Sequence, residues 1–85
     1  MPVWAVEVRV TPRQGILDPE GQTIQRALQD LGYAGVESVR AGKLFDLRLQ
    51  ANSAAEAERE AKRMCGELIT NPVIEDYTLS VSEPP

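Results

Sequence analysis

The side chains able to do chemistry in this sequence are few, and they fall in three short stretches. Gly15-Ile16-Leu17-Asp18-Pro19-Glu20-Gly21 sets two glycines beside a helix start, where free backbone N–H groups can receive an anion. Its glycine spacing matches neither the dinucleotide fingerprint nor the phosphate loop that ends in Lys-Ser/Thr, so a plain loop and helix cap is the simpler reading. Arg40-Ala41-Gly42-Lys43 places two cations close together, where they can meet a phosphate or an acidic patch on a partner, or just keep a turn soluble. Glu75 and Asp76 are neighbours in a strand-like run and so point to opposite faces. They cannot converge as a carboxylate pair for acid–base work; ion pairing or protection of a sheet edge suits them better.

Composition removes most catalytic classes. The chain has no histidine and one cysteine, Cys65. That excludes Ser-His-Asp and Cys-His nucleophile systems, His-based general acid–base pairs and almost every zinc arrangement. Cys65 falls on the apolar stripe of a helical segment, where it acts as a small hydrophobe with no base to activate it. A lone cysteine forms no internal disulfide, and no charged-then-apolar leader opens the chain, so a reducing cytoplasm is the expected location. No apolar run approaches the roughly 20 residues of a membrane span, so no membrane partner is expected. Nine Lys+Arg against 13 Asp+Glu give a net charge of −4. Nucleic-acid binders gain affinity by releasing counterions with clustered cations, so nucleic acid is a disfavoured partner.

The elements that must carry these stretches follow from hydrophobic periodicity. Trp4, Val6, Val8 and Val10 alternate with Ala5, Glu7 and Arg9, which predicts a half-buried strand ending at Thr11-Pro12. Asp18-Pro19 reads as an N-cap followed by the first helical residue. Ile24, Ala27, Leu28 and Leu31 then form one stripe, and Gly32 is placed to end the helix. Val36 to Leu49 reads as a central hairpin turning at Ala41-Gly42-Lys43, with Gly42 supplying the positive φ of a tight turn. Its second arm alternates Phe45, Leu47 and Leu49 with Asp46, Arg48 and Gln50. Its first arm is irregular, because Val36 and Val39 are three apart and need a bulge or a late strand start. Ser53 with Glu56 forms a capping box for a second helix running to about Thr70, with Ala54, Ala57, Ala61, Met64, Cys65, Leu68 and Ile69 inward and Asn71-Pro72 as its stop. A last strand spans Val73 to Ser82, and Glu83-Pro84-Pro85 is a frayed tail.

The order is βαββαβ in a single domain over 1–85. This predicts an α+β fold, a two-layer sandwich whose mainly antiparallel sheet carries both helices on one face. The open face would then hold Ala5, Leu44, Ile74 and Val36, apolar enough to suggest that a second copy covers it. A chain this short buries only about 60% of its unfolded surface, so it stands to gain from association.

Three separated stretches resemble the PurS family, the small subunits of phosphoribosylformylglycinamidine synthase. Val10-Thr11-Pro12-Arg13-Gln14-Gly15-Ile16-Leu17-Asp18-Pro19-Glu20-Gly21 looks like the family's opening segment. Val36-Glu37-Ser38-Val39-Arg40-Ala41-Gly42-Lys43 is similar to its V-x-x-V-R-x-G-K hairpin, and Asn71-Pro72-Val73-Ile74-Glu75-Asp76-Tyr77 to its N-P-V-I-E-D-Y ending. Met64-Cys65 also fits the family's second helix, and the likeness runs in unbroken order from about Val6 to Val81. Trp4, Gly66 and Thr70 depart from the pattern.

The resemblance implies a place in purine biosynthesis, where formylglycinamide ribonucleotide, glutamine and ATP become the formylglycinamidine. A large synthetase subunit activates the amide with ATP and magnesium, a glutaminase subunit releases ammonia, and the small subunit joins them as a dimer or tetramer. It binds no cofactor or metal itself and carries no catalytic residue. Partner contacts are then expected from Asp18, Pro19 and Gly21, from Arg40, Gly42 and Lys43, and from Glu75, Asp76 and Tyr77. The competing reading is a regulatory or metabolite-sensing α+β dimer module.

Overall fold

A computed structural model describes residues 2–84. Met1 and Pro85, the last residue of the expected frayed tail, lie outside the described residues. Strand β1 (Val3–Pro12) forms the middle of a three-stranded antiparallel sheet, between β2 (Lys43–Gln50) and β3 (Glu75–Ser82). Its alternating valines explain the central place. Val6 faces Leu47 and Val81, Val8 faces Phe45 and Leu79, and Val10 faces Lys43 and Tyr77, so each valine is flanked on both sides. All three are fully buried.

Helix α2 (Ala54–Met64) starts as the sequence predicts, with the Ser53 hydroxyl accepting a hydrogen bond from the Glu56 N–H at 3.1 Å. It lies over β1 and β3. The small residues Ala57 and Ala61 let it approach closely, and Ala61 and Cys65 pack directly on the three valines. The expected continuation to Thr70 exists, but as a single π turn over Cys65–Ile69, closed by the Thr70 N–H donating to the Cys65 carbonyl at 3.0 Å. The wider turn breaks the helical phase. Leu68, expected inside, is 86% exposed, whereas Ile69 returns to the core.

Helix α1 (Pro19–Asp30) also has the predicted ends. The Asp18 carboxylate accepts from the Gly21 N–H, and Gly32 takes φ +106°. The Gly32 N–H donates to Gln29 and the Tyr33 N–H to Leu28, which satisfies the last carbonyls. Its position differs from expectation, because α1 does not lie on its own sheet. Gly21 is its sole buried residue, and Ile24 and Leu31 remain exposed.

The first arm of the predicted hairpin is likewise not a strand. Residues 36–41 run beside α1, held by Gln29 Nε2 donating to the Val36 carbonyl at 3.0 Å and Gln25 Nε2 to the Glu37 carbonyl at 3.2 Å. Their backbone groups are engaged by helix side chains, not by β2. Gly42 has no positive φ. It is a glycine for a steric reason, since a Cβ there would press into the Val10 carbonyl oxygen.

Two smaller corrections concern β3 and the open face. Strand β3 starts at Glu75 rather than Val73, because Asn71 organises a turn: its carbonyl accepts from the Ile74 and Glu75 N–H groups and its side chain from the Val73 N–H. The open face carries Glu7, Arg9, Asp46, Arg48, Thr78 and Ser80 beside Ala5 and Leu44. Ile74 and Val36 lie outside the strands. A polar face gives no reason for a second copy to cover it. The α+β class and the antiparallel sheet stand, with three strands in place of four.

A candidate partner-binding end

The sheet register brings the end of β1 together with the beginnings of β2 and β3. Lys43 and Tyr77 both lie opposite Val10, Asp76 opposite Thr11 and Glu75 opposite Pro12. Lys43 Nζ approaches Glu75 Oε2 at 3.9 Å, so a cation from β2 and a carboxylate from β3 meet across the central strand. Glu75 is also held from below, its Oε1 accepting the Asn71 N–H at 2.8 Å. On the other side of the strand, Asp76 Oδ1 sits 3.4 Å from Arg13 Nε. The Arg13–Asp76 pair is solvated on both sides and contributes little to stability, whereas Glu75 is only 18% exposed beside a solvated Lys43. Together they set two opposite-charge pairs, one on each side of the sheet, at one end of the molecule.

Asp18 joins the second group of candidates to the first. Its Oδ1 accepts the Gly21 N–H at 3.0 Å and its Oδ2 the Ala41 N–H at 2.8 Å, so one carboxylate caps α1 and ties the Arg40–Lys43 stretch to it. Gly21 lies directly beneath the Val39 carbonyl, where no side chain would fit. The chain then passes Gly42 against Val10 and enters β2 at Lys43. Of the nine residues singled out from the sequence, Asp18, Gly21, Gly42, Lys43, Glu75, Asp76 and Tyr77 are thus linked through direct contacts or sheet register. Pro19 is the exposed first residue of α1, its carbonyl accepting the Thr23 hydroxyl at 2.9 Å. Arg40 is exposed and acts on Asp18 through its charge alone.

Sequence reasoning missed Arg13. It follows β1 directly, its N–H donating to the Ile74 carbonyl at 2.9 Å, and the available signal was its place immediately after the Thr11-Pro12 strand end. Also missed was a shallow cleft of about 160 Å³ beside this end, lined by Arg13, Cys65, Thr70 and Tyr77 among others.

The two N–H bonds from Gly21 and Ala41 hold the Asp18 carboxyl below its ordinary value of 3.8, outweighing the opposing effect of desolvation, with a lesser contribution from the Arg40 charge. A carboxylate lowered in the folded state contributes stability that is complete above the unfolded value and lost as pH falls through the folded one. The Asp18 link should therefore hold at neutral pH and open only on acidification below 3.8. An NMR titration of the Gly21 and Ala41 amides checks this: both should shift together with a midpoint below that value, and independent midpoints would break the link.

Chemically, this end offers mixed charges and backbone groups. Cys65 is buried, and burial pushes its thiol pKa up, more than the nearby Thr70 hydroxyl lowers it. Among the described residues no three His, Cys, Asp or Glu side chains converge on a metal position. The arrangement suits polar recognition of another surface. Among the described residues, no helix is long and apolar enough to cross a membrane.

Comparison with known proteins shows the family. The family model for PurS, phosphoribosylformylglycinamidine (FGAM) synthase, matches residues 5–83. The chain belongs to the PurS family. Subunit PurS of the Synechocystis sp. enzyme is 43% identical over 75 residues, covering 88% of this chain and 75% of its own. Methanocaldococcus jannaschii PurS, one of the subunits of formylglycinamide ribonucleotide amidotransferase in the purine biosynthetic pathway, superposes with a TM-score of 0.86 at 35% identity, covering 96% of this chain and 99% of that one. A chain in the structure of PurLQS from Thermotoga maritima gives 0.88 at 33% identity, covering 96% and 100%. The PurS assignment fixes the α+β fold and places the chain as a subunit of FGAM synthase in purine biosynthesis. All three PurS-like stretches lie inside the matched region, and they are the stretches that meet at the charged end.

Proposed function

We propose that this chain is a non-catalytic bridge, which holds the ATP-dependent synthetase subunit and the glutaminase subunit of FGAM synthase in one cytoplasmic complex and so supports ammonia transfer between them. The observation that carries this is the convergence of Asp18, Lys43, Glu75 and Asp76, from three distant stretches, at one polar end with no acid–base pair, exposed thiol or metal cluster among the described residues. Such an end is suited to recognising another surface. The similarity to a chain within PurLQS supports assembly with two other kinds of subunit. ATP and magnesium then belong to the synthetase, and this chain holds neither. Ammonia must cross between two active sites without protonation or loss, and a bridge acts by fixing their relative geometry. The bridge is itself a self-associated unit, at least a dimer.

Size-exclusion chromatography of the three purified subunits tests the bridge. The synthetase and glutaminase subunits should co-elute only when this chain is present. The double variant Arg40→Ala/Lys43→Ala should weaken that co-elution by roughly tenfold or more in the concentration required, with an unchanged far-UV spectrum. Full co-elution with the double variant would remove the tip from the contact surface, and full co-elution without the chain would end the bridging proposal.

A further inference from the structure

The outer edge of β3 is open, and its hydrogen-bonding phase can be read from the turn that precedes it. The Arg13 N–H donates to the Ile74 carbonyl, in the same register that sets Pro12 opposite Glu75. Antiparallel partners alternate between bonded and non-bonded pairs. Asp76, Thr78, Ser80 and Ser82 therefore bond to β1, while Glu75, Tyr77, Leu79 and Val81 turn their backbone N–H and C=O groups away from it. At Glu75 the chain satisfies both groups itself: the N–H donates to the Asn71 carbonyl at 2.8 Å, and the carbonyl accepts from Arg13 Nε at 3.4 Å. At Tyr77, Leu79 and Val81 the outward groups have no partner among the described residues, and β3 is the last strand on its side of the sheet.

An open edge is a template for another strand, and folded chains blunt such edges with lysine, proline, a bulge or shortness. Strand β3 uses none of these beyond its first two residues. It is eight residues long, contains neither lysine nor proline, and pairs with β1 without interruption. Its inward side chains Tyr77, Leu79 and Val81 pack on the core yet are only partly buried, so a neighbour on the outer side would cover them further.

The start of this edge also has a place for one side chain. The cleft of about 160 Å³ adjoins Tyr77 and is lined by Thr70 and Arg13. Thr70 is 6% exposed, and its Oγ1 makes no satisfactory hydrogen bond, since the neighbouring Cys65 sulfur is a weak partner. Arg13 is anchored through Nε to Asp76 and the Glu75 carbonyl, and its terminal amino groups have no partner among the described residues. Hydroxyl and guanidinium can both donate to one oxygen acceptor. The cleft volume equals that of about five waters, well short of the ~300 Å³ of a cofactor-sized site.

We infer that β3 receives an added strand from one of the two partner subunits: an extended segment of about five residues, alternating apolar and polar, that sends one carboxylate or carboxamide side chain into the cleft. This rests on the bridging function proposed above and gives one of its contacts a structure. Backbone bonds to Tyr77, Leu79 and Val81 hold the segment, and its apolar side chains extend the inner face beside those residues. Its polar ones continue the row of Thr78 and Ser80. The acceptor on Thr70 and Arg13 sets the register, because a slip by one residue would turn it to the other face. A second copy of β3 fits less well. Two such strands in full overlap about Leu79 place Val81 opposite Tyr77, and valine offers the cleft no acceptor.

Hydrogen–deuterium exchange tests the added strand. The isotope-labelled chain is exchanged alone and in the assembled complex with the synthetase and glutaminase subunits, quenched, and read amide by amide. In the chain alone, the Tyr77, Leu79 and Val81 amides should exchange about 100-fold faster than those of Thr78 and Ser80, which bond to β1. In the complex the three should slow by about tenfold or more, and complexes with each subunit singly identify the donor of the strand. Thr70→Val keeps the shape of the side chain and removes its hydroxyl, so it should weaken assembly by about threefold or more with an unchanged or higher melting temperature. Formation of the complex without slowing of the three amides would overturn the added strand and leave the bridge standing. Protection of the same amides in the chain alone would assign the edge to a second copy and overturn it equally. Full-affinity assembly of Thr70→Val would overturn the placement of the acceptor in the cleft. Failure of the three subunits to co-elute would instead overturn the bridging function itself.

Discussion

Gly42→Ala should lower the melting temperature by roughly 5 to 20 °C, the largest loss expected from any single glycine outside the helices. The added methyl would meet the Val10 carbonyl oxygen, and behind it the Thr11 methyl group at 3.3 Å. Neither can yield cheaply. Val10 is buried and paired on both sides, with Lys43 on β2 and Tyr77 on β3, so its carbonyl is fixed by the sheet. Overpacking of this kind costs about 1–3 kcal/mol. Glycine plays two different roles in this chain. At Gly32 the positive φ is the requirement, whereas at Gly42 the backbone conformation is ordinary and close approach is the requirement. Gly66→Ala is the control, because a Cβ there meets nothing within 4 Å. It should change stability by no more than about 0.5 kcal/mol. Thermal unfolding by circular dichroism reads both, and equal melting temperatures for the two variants would refute the steric account of Gly42.

What the sequence made legible was the part governed by local rules. The valines at every second position gave β1, Phe45-Leu47-Leu49 gave β2, and Asp18-Pro19, Gly32 and Ser53-Glu56 gave three helix ends, each confirmed by its own hydrogen bonds. These features depend on neighbours a few residues apart, and the period or cap is visible in the letters.

The misses depend on contacts between distant stretches. Val36 and Val39 broke the period of two, and the structure gives the reason: the segment is bound by Gln25 and Gln29, twelve and seven residues away from their acceptors, and not by a neighbouring strand. Ile24, Ala27, Leu28 and Leu31 share one face of α1, yet Ile24 and Leu31 are exposed, because periodicity says which face is apolar and not what covers it. The π turn has no compositional signal at Cys65–Ile69, so Leu68 was assigned the wrong side. At the charged end the residue types were legible, while their convergence required the register that sets Glu75 opposite Pro12 and Lys43 opposite Val10. Arg13 went unnoticed because its role exists only once Asp76 is beside it.

The second large effect concerns activity. If this chain acts by joining the two catalytic subunits, its removal should affect only the reaction that needs both. On the bridging account, glutamine-dependent synthesis has ammonia travel from the glutaminase to the synthetase, and holding the two together raises the effective concentration at which they meet. On the same account, synthesis from free ammonium salt needs the synthetase alone. On the bridging account this chain adds no reacting group to either half-reaction. The two substrates therefore separate a bridge from a catalytic subunit.

Reconstitution of FGAM synthesis from purified synthetase and glutaminase subunits, with ATP and magnesium, measured with and without this chain and with either glutamine or ammonium chloride as nitrogen source, tests the central claim most directly. The bridging account predicts that omitting the chain lowers the glutamine-dependent rate by about tenfold or more and leaves the ammonium-dependent rate within a factor of about two. Full glutamine-dependent activity without the chain, or an equal fall with both nitrogen sources, would contradict it.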